Sequence, residues 1–491
     1  MNNKSSGILL PISSLPSKYG IGSFGKEAYE FVDFLHKAGQ KYWQILPIGP
    51  VSYGDSPYSP FSVHAGNPYY IDLDIIIEEG LLSKNECRTL DFINDDSYID
   101  YEKQFYNRYD LLRKAYYNSN GKYSSNIEIF KKDNSWVLNY ALFMALKYKN
   151  NQLPWYKWNT LEVKLDENAI RNAKEKLSED IDFWVFLQYL FYEQYHKLKK
   201  HANVMGIKII GDMPIYAAED SADVWANNEI FMMDVNKVPI MVAGVPPDDF
   251  SEEGQLWGNP VYNWGYLKDT SYQWWIERIK WSFKLYDVVR IDHFRGFDEF
   301  WAVSYGSKNS IKGQWLTAYG NELFDCVKSI LGDLNIIAED LGIITNSVSE
   351  LKKSAGFPGM KIIQFAFDGN LNNPYLPENY EENCVAYTGT HDNDTLKGWY
   401  YNLDNIKREE VIKILDIKET NINYNIIKVL YESKASICII PLQDFLCIGS
   451  EGRINTPSTV GNNWTWRVNK SLLTDELANA IKLMVVESNR L

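Results

Sequence analysis

The chain has 491 residues, of which 50 are Lys or Arg and 64 are Asp or Glu, for a formal net charge of −14, with 45% hydrophobic and 15% aromatic residues. This excess of acid, with no block of Lys or Arg, argues against a nucleic-acid groove or an anionic membrane surface as partner, because both are bound through concentrated positive charge. Five cysteines without a CxxC pair indicate neither a zinc ribbon nor a disulfide framework, so a reducing compartment is expected.

The first apolar run, residues 7–12, is broken at Pro11 and is too short for a signal-peptide core. No run approaches the ~20 apolar residues that span a bilayer, and a cytoplasmic protein is expected. Runs of strand character follow in chain order at 7–12, 41–48, 207–212, 288–292, 335–339, 362–367, 384–390 and 437–442. Helical periodicity follows the first, through Ala28, Phe31, Val32, Leu35 and Ala38, and residues 274–285 have the same character before the fourth. Ser347 and Glu350 read as a capping box opening a helix at 348–355, and 475–489 reads as a final helix of the outer ring. Eight strands alternating with helices predict an α/β fold, a (β/α)8 TIM barrel with inserted, largely helical subdomains.

Residues 1–491 are therefore expected to form a single catalytic barrel unit. The gap between the second and third strands is too long for one loop, so residues 50–200 are expected to form an inserted subdomain, mainly helical over 101–198. A second insertion is expected at 213–270.

Asp212 in IIGDMPIY, Asp292 in VVRIDHFRG, Glu339 in IIAEDLG and Asp392 in YTGTHDND lie at or just past the ends of predicted strands, the rim where barrel active sites form. A single Asp at such a place is more often a turn or helix cap; four in one register, accompanied by Arg290 and His391, point to function. Converging carboxyls shift one another's pKa, so that one stays protonated beside another that is ionised, as cleavage of a glycosidic bond requires. Arg290 and Asp292 are two apart on one strand and share a face, so the guanidinium holds Asp292 as the anion a nucleophile needs. Glu339 ends an apolar strand, where desolvation suits it to donating a proton. His391 and Asp392 are placed to hydrogen-bond sugar hydroxyls as the ring flattens. Asp340 alternates away from the rim and is expected to cap the following turn. His293 is read either as a hydrogen-bond partner within the site or as a sugar contact, and His36, His64, His196 and His201 as structural or exposed.

Sixteen Trp, 34 Tyr and 22 Phe supply flat faces on which sugar rings stack. Tyr58 in GDSPYSPFS, Trp257 in GQLWGNP, and Trp464 and Trp466 in GNNWTWRV sit among Gly, Asn and Ser, the mix expected of a sugar-lined loop.

The motifs GDMPIYAAEDSADVW, VAGVPPDDFSEEGQLWGNPVYNW, RIDHFRGF, AEDLG and GTHDNDTLKGW, within a likeness running from LPISSLPSKYGIGSFG to NWTWRV, resemble the 4-α-glucanotransferase (amylomaltase, or disproportionating enzyme) family of the α-amylase-like group. The resemblance implies a (β/α)8 barrel and a double-displacement transfer of α-1,4-glucan segments from a donor maltodextrin to a glucan or glucose acceptor, without metal or cofactor. Matched motif by motif, it implies Asp292 as nucleophile, Glu339 as general acid and base, and Asp392 as transition-state stabiliser. Arg290, His391 and Asp212 would bind around the cleaved sugar, while Tyr58, Gln255, Trp257 and Asn463 would hold the chain under a lid at 246–254. A monomer or weak homo-oligomer is expected. Residues 85–200 carry little of the likeness. The segment SYGSKNSIKGQWLTAYG replaces the family's usual Pro and Gly-Pro-Gly turn, and Ser458 stands where Gly is usual.

The carboxylates alone leave a hydrolase open beside a transferase. A metallohydrolase using His391, Asp392, Asp292 and His293 is disfavoured by ligand spacing, and Asp392 with Asp394 makes only half a calcium loop. A glucan-binding protein without catalysis is a further alternative.

Overall fold

The strands, in chain order, are β1 (Ser5–Leu9), β2 (Tyr42–Gln44), β3 (Lys208–Met213), β4 (Met241–Val245), β5 (Gln255–Pro260), β6 (Val288–Ile291), β7 (Glu299–Ser304), β8 (Gly313–Thr317), β9 (Ile336–Ala338), β10 (Gly359–Ile362), β11 (Cys384–Tyr387) and β12 (Ile437–Pro441). They are seen in a computed structural model that describes residues 4–52, 54–247, 251–342 and 344–491. Strands β1, β2, β3, β6, β9, β10, β11 and β12 close in that order into a barrel, with every neighbouring pair parallel. This is the α/β barrel expected from the alternation of strands and helices.

Strand alternation gives the barrel two apolar surfaces. Leu9, Ile210, Val288, Ile337, Val385 and Ile439 fill its interior, while their neighbours Ile8, Ile209, Val289, Ile336, Ala386 and Cys438 pack outward in the larger core that includes the helices. The inner face, followed two residues at a time toward the strand ends, runs from Ile210 to Asp212, from Val288 to Arg290 and Asp292, and from Ile337 to Glu339. Side chains that fill the barrel and side chains that do chemistry therefore share one register. Gly211, which faces outward between Ile210 and Asp212, is required because a Cβ there would lie 2.1 Å from the Tyr286 ring.

Strand positions differ from expectation most at β10. The apolar run 362–367 predicts the strand there, but the strand is Gly359–Ile362 and Ile363–Phe365 forms a 3-10 turn. Pairing decides the matter, because Asp340 accepts a hydrogen bond from the Met360 N–H at 2.7 Å and Ala338 N–H donates to the Pro358 carbonyl at 2.9 Å. The same contact corrects the role of Asp340, which also pairs with Lys352 at 2.6 Å and ties β9 to β10 rather than capping a turn. The helix after β9 is Asn346–Ala355, and Thr345 is its N-cap. Ser347, expected to cap it, instead donates to Asp298 at 2.7 Å.

Between β2 and β3 the chain forms a series of helices, among them Trp136–Lys149 and the 27-residue Ser178–Val204. The long helix carries two buried glutamines that hold the loop after β2: Gln188 accepts from the Gly66 N–H at 2.7 Å and Gln194 from the Asp72 N–H at 2.6 Å. Strands β5, β4, β7 and β8 form a separate four-stranded sheet in that order, antiparallel throughout.

Near its end the chain returns to the barrel seam. Arg490, fully buried, donates to the carbonyls of Tyr431 (2.6 Å), Ala435 (2.8 Å), Ser433 (3.0 Å), Ser5 (3.3 Å) and Leu430 (3.5 Å), joining β1 to the segment before β12. Arg490→Ala leaves these carbonyls without that donor and is expected to lower the unfolding free energy by more than about 3 kcal/mol. Urea titration measures it, and an unchanged midpoint would show that the barrel closes without this contact.

Candidate active site

The parallel register puts the acidic positions side by side. Asp212 pairs with Arg290 across β3 and β6, and Ile291 pairs with Ala338 across β6 and β9. Asp292 and Glu339 therefore stand one step further on, on neighbouring strands about 4.8 Å apart. The Asp292 N–H donates to the Met213 carbonyl and the Glu339 N–H to the Ile291 carbonyl, both at 3.0 Å, so the ladder continues to the rim.

One guanidinium organises this group. Arg290 Nη1 lies 2.8 Å from each oxygen of Asp212 and 3.0 Å from Asp292 Oδ1, with Arg290 and Asp212 buried. Its Nε faces the sulfur of Met360 at 3.3 Å. Burial opposes charge on Arg290, but Asp212 and then Asp292 hold its pKa well above the usual value. Burial raises the pKa of Asp212 against the pull of Arg290, which makes Asp212 the reluctant partner in this pair.

The network continues through Tyr58. Its hydroxyl donates to Asp212 Oδ2 at 2.8 Å and lies 3.3 Å from His391 Nδ1, and its ring stacks on the imidazole with centroids 4.8 Å apart. The hydroxyl proton is used on Asp212, so the oxygen faces Nδ1 as an acceptor. On the other side His391 Nε2 lies 3.3 Å from Asp392 Oδ2. Both ring nitrogens thus face acceptors, the setting of an imidazolium. Burial works against that charge, yet Asp392 raises the His391 pKa above its ordinary value. For Asp392, the desolvation imposed by the surrounding groups is outweighed by His391, by a hydrogen bond from Asn455 and by Arg290, and its pKa falls to about 2.

Glu339 is in the opposite situation. Burial raises its carboxyl, and Asp292 adds to the effect, against Arg290 and two backbone donors; the result is a pKa of about 7. Those donors are the His293 N–H to Oε2 and the Leu341 N–H to Oε1, each at 2.8 Å. His293 thus supports Glu339 through its backbone, in the left-handed region at φ 51°. Its ring meets Trp257 edge-on, with centroids 4.8 Å apart, and burial lowers its pKa to about 4. The local environment thus separates Glu339, at about 7, from Asp392, at about 2.

Gln255 and Trp257 come from the edge strand β5, and the indole N–H donates to Gln255 Oε1 at 3.2 Å. Trp257 is 38% exposed, so a face stays open beside His293. Of the expected lid at 246–254, residues 248–250 lie outside the described residues; its far end is fixed by a hydrogen bond from the Ser310 N–H to the Glu253 carbonyl at 3.0 Å. Asn463 does not join the carboxylates. Its Oδ1 accepts from the Thr456 N–H and its amide donates to Thr459, so it closes the loop between those residues. Trp464, on the same loop, lies 5.8 Å from the His391 ring and 5.7 Å from that of Tyr58.

Two residues of the site escape sequence reasoning. Asn455 donates to Asp392 Oδ1 at 2.6 Å, and Arg453 Nη2 donates to the Asp392 carbonyl at 2.7 Å. Both lie in a loop, where no periodicity marks them, and nothing in GRINTPSTV alone points to either. Among the described residues, no group of three or more His, Cys, Asp or Glu is arranged to hold a metal ion. His64 lies 3.4 Å from Asp223 and His201 3.1 Å from Asp33, both away from this cleft.

The family model described as 4-alpha-glucanotransferase matches residues 10–474. The chain belongs to this family. Among 4-α-glucanotransferases, that of Clostridium butyricum is 52% identical over 475 residues, covering 96% of this chain and 97% of the relative. The structure of amylomaltase from Streptococcus agalactiae in complex with acarbose superposes with a TM-score of 0.98 at 42% identity, covering 99% of both chains. The amylomaltase of Corynebacterium glutamicum, 18% identical with a TM-score of 0.78, covers 99% of this chain and 75% of its own and shares the fold.

This 4-α-glucanotransferase holds Ser458 at φ 62°, a left-handed conformation that glycine adopts without strain, which is the physical reason the motif resemblance leads one to expect Gly there. Ser458→Gly is expected to raise the unfolding free energy by up to about 1 kcal/mol, measured by chemical denaturation. The His391 assignment has a spectroscopic test: its ring-nitrogen shifts should remain those of an imidazolium above the usual histidine range, and Asp392→Asn should bring the titration down. Neutral-ring shifts at pH 6 in the unsubstituted protein would contradict the network.

Proposed function

We propose that this enzyme moves α-1,4-glucan segments from a donor maltodextrin to the 4-hydroxyl of an acceptor glucan or glucose by a retaining double displacement. The observation that carries this reading is the pairing of Asp292, held by Arg290, with Glu339, raised to about 7 on the neighbouring strand. A retaining mechanism calls for the two carboxyls about 5 to 5.5 Å apart, and their positions at the ends of neighbouring strands are compatible with it. That the S. agalactiae amylomaltase was solved in complex with acarbose supports a glucan as the substrate.

In the first step Asp292 attacks the anomeric carbon, the C1–O bond breaks, and Glu339 gives its proton to the departing 4-oxygen. A glucosyl ester of Asp292 remains. The 4-hydroxyl of an acceptor then attacks C1, its proton passes to Glu339, and Asp292 leaves as the carboxylate. Asp392, ionised and held by His391 and Asn455, receives sugar hydroxyls as the ring flattens. Asp212, Arg290 and His391 surround the cleaved sugar, and Tyr58 supports them through its hydroxyl. Gln255 and Trp257 lie beside His293, next to the proton donor, and so on the side of the leaving group and acceptor. Asn463 contributes through its loop. Water must be excluded for transfer to exceed hydrolysis, and the Trp257 face is suited to seating a sugar in its place. A cytoplasmic monomer or weak homo-oligomer completes the reading; among the described residues no helix is long and apolar enough to cross a membrane.

Incubation with maltotriose is the test: transfer yields glucose and a ladder of longer maltodextrins, whereas products no longer than the substrate would make the enzyme a hydrolase. Asp292→Asn is expected to lower kcat more than about a thousandfold while equilibrium binding of maltotriose persists; an active variant would remove Asp292 as nucleophile. Because Glu339 must enter the first step protonated, kcat/KM should be level below its pKa of about 7 and fall about tenfold per pH unit above it. Glu339→Gln should abolish that alkaline limb, and should be rescued in part by donors with good leaving groups.

A further inference from the structure

Asp392 is half-exposed toward the cleft, yet each of its carboxylate oxygens has its own protein partner: Oδ2 faces His391 Nε2 at 3.3 Å, and Oδ1 accepts from Asn455 Nδ2 at 2.6 Å. Asn455 is itself immobilised. Its N–H donates to the His391 carbonyl at 3.1 Å, and its carbonyl accepts from Arg453 Nε at 2.8 Å while Arg453 Nη2 holds the Asp392 carbonyl. The side-chain amide can be oriented only one way, since the flipped amide would set two oxygens 2.6 Å apart.

The loop that presents Asn455 has an unusual backbone. Ser458 (φ 62°), Asn462 (φ 57°) and Trp464 (φ 64°) are all left-handed, and the loop is closed by Asn463 on the Thr456 N–H (3.0 Å) and by the Trp464 N–H on the Ile454 carbonyl (2.7 Å). Left-handed non-glycine residues persist where surrounding structure over-determines them. The loop so fixed carries Asn455, whose N–H and side chain reach His391 and Asp392.

We infer that Asn455 is a positioning residue for Asp392, fixing the plane of its carboxylate toward the substrate hydroxyls, and that Asn463 acts through the same loop. This rests on the proposed role of Asp392 as transition-state stabiliser. With one oxygen held by His391 and the other by Asn455, the remaining lone pairs open into the cleft, where two adjacent hydroxyls can be met together as the ring flattens. Such contacts tighten in the transition state, so their loss should appear in kcat more than in KM.

The experiment uses the full-length enzyme and α-glucosyl fluoride, whose leaving group departs without protonation, with fluoride release followed from pH 5 to 9. Asn455→Ala is expected to lower kcat about 10- to 100-fold with KM within about threefold. Asn455→Asp is isosteric but places two carboxylates against each other; its kcat should fall further, and more steeply as pH rises, because the pair must share a proton. If Asn455→Ala does not fold, this pH profile decides by itself. In an Asp392→Ala background, Asn455→Ala should cost less than about twofold. An equal loss in both backgrounds, a kcat for Asn455→Ala within threefold of the unsubstituted enzyme, or an Asn455→Asp profile parallel to the unsubstituted one would overturn the inference. An Asp392→Ala variant of undiminished activity would overturn it together with the assigned role of Asp392. The maltotriose ladder is independent of these readings, since fluoride release proceeds whether the acceptor is sugar or water.

Discussion

Arg290 carries a permanent positive charge into the upper barrel, where bulk water cannot solvate it, and the site is arranged around that charge. An isolated ion buried there would be costly, and the cost is offset only by partners with good geometry. Asp212 supplies both oxygens to one guanidinium nitrogen, and Asp292 shares that nitrogen from two residues further along the same strand. The pair with Asp212 is thus the fixed half of the arrangement. Asp292, less buried, keeps its second oxygen away from that nitrogen and able to face the cleft.

From Asp212 the same hydrogen-bonded chain passes to Tyr58, His391, Asp392 and Asn455, through residues drawn from four separate parts of the sequence. Each link has a defined direction. The Tyr58 proton is committed to Asp212, which leaves its oxygen for His391; the imidazolium that results holds Asp392 ionised. Glu339 lies at the edge of this chain and receives only backbone donors, so burial dominates and its carboxyl keeps its proton near neutrality. One rim therefore offers an anion and an acid: Arg290 acts on both, but only Asp392 has in addition a cationic side chain in direct contact, His391, to offset desolvation.

The scaffold serves this arrangement at two distances. Close in, the parallel register of β3, β6 and β9 sets Asp212, Arg290, Asp292 and Glu339 side by side, and Gly211 gives the Tyr286 ring room behind them. Further out, Gln188 and Gln194 on the long helix hold the loop after β2, which brings Tyr58 back over the barrel, while the antiparallel sheet offers Trp257 from its edge strand. These are buried amide-to-backbone bonds, which orient a loop without adding charge to an already crowded site.

Local pattern in the sequence determined the eight strands, their parallel alternation with helices and the inner face bearing Asp212, Arg290, Asp292 and Glu339, because period-two alternation and strand-end position are properties of short segments. Strand-end position also pointed to Asp392 with His391, and loop composition to Tyr58 and Trp257, while motif resemblance added Gln255 and Asn463. Only the tertiary structure decided the rest. The sixth predicted run shifted because Asp340, two residues past β9, chose which residues of the next strand would pair, and Thr345 displaced Ser347 as a cap because Asp298, far away in sequence, claimed the Ser347 hydroxyl. Asn455 was illegible for the same reason: an asparagine in a loop has no periodicity, and its meaning comes from a partner 63 residues away. Propensity and spacing act between neighbours in the chain, whereas the direction of a hydrogen bond and the ionisation of a buried acid depend on groups that meet only when the barrel closes.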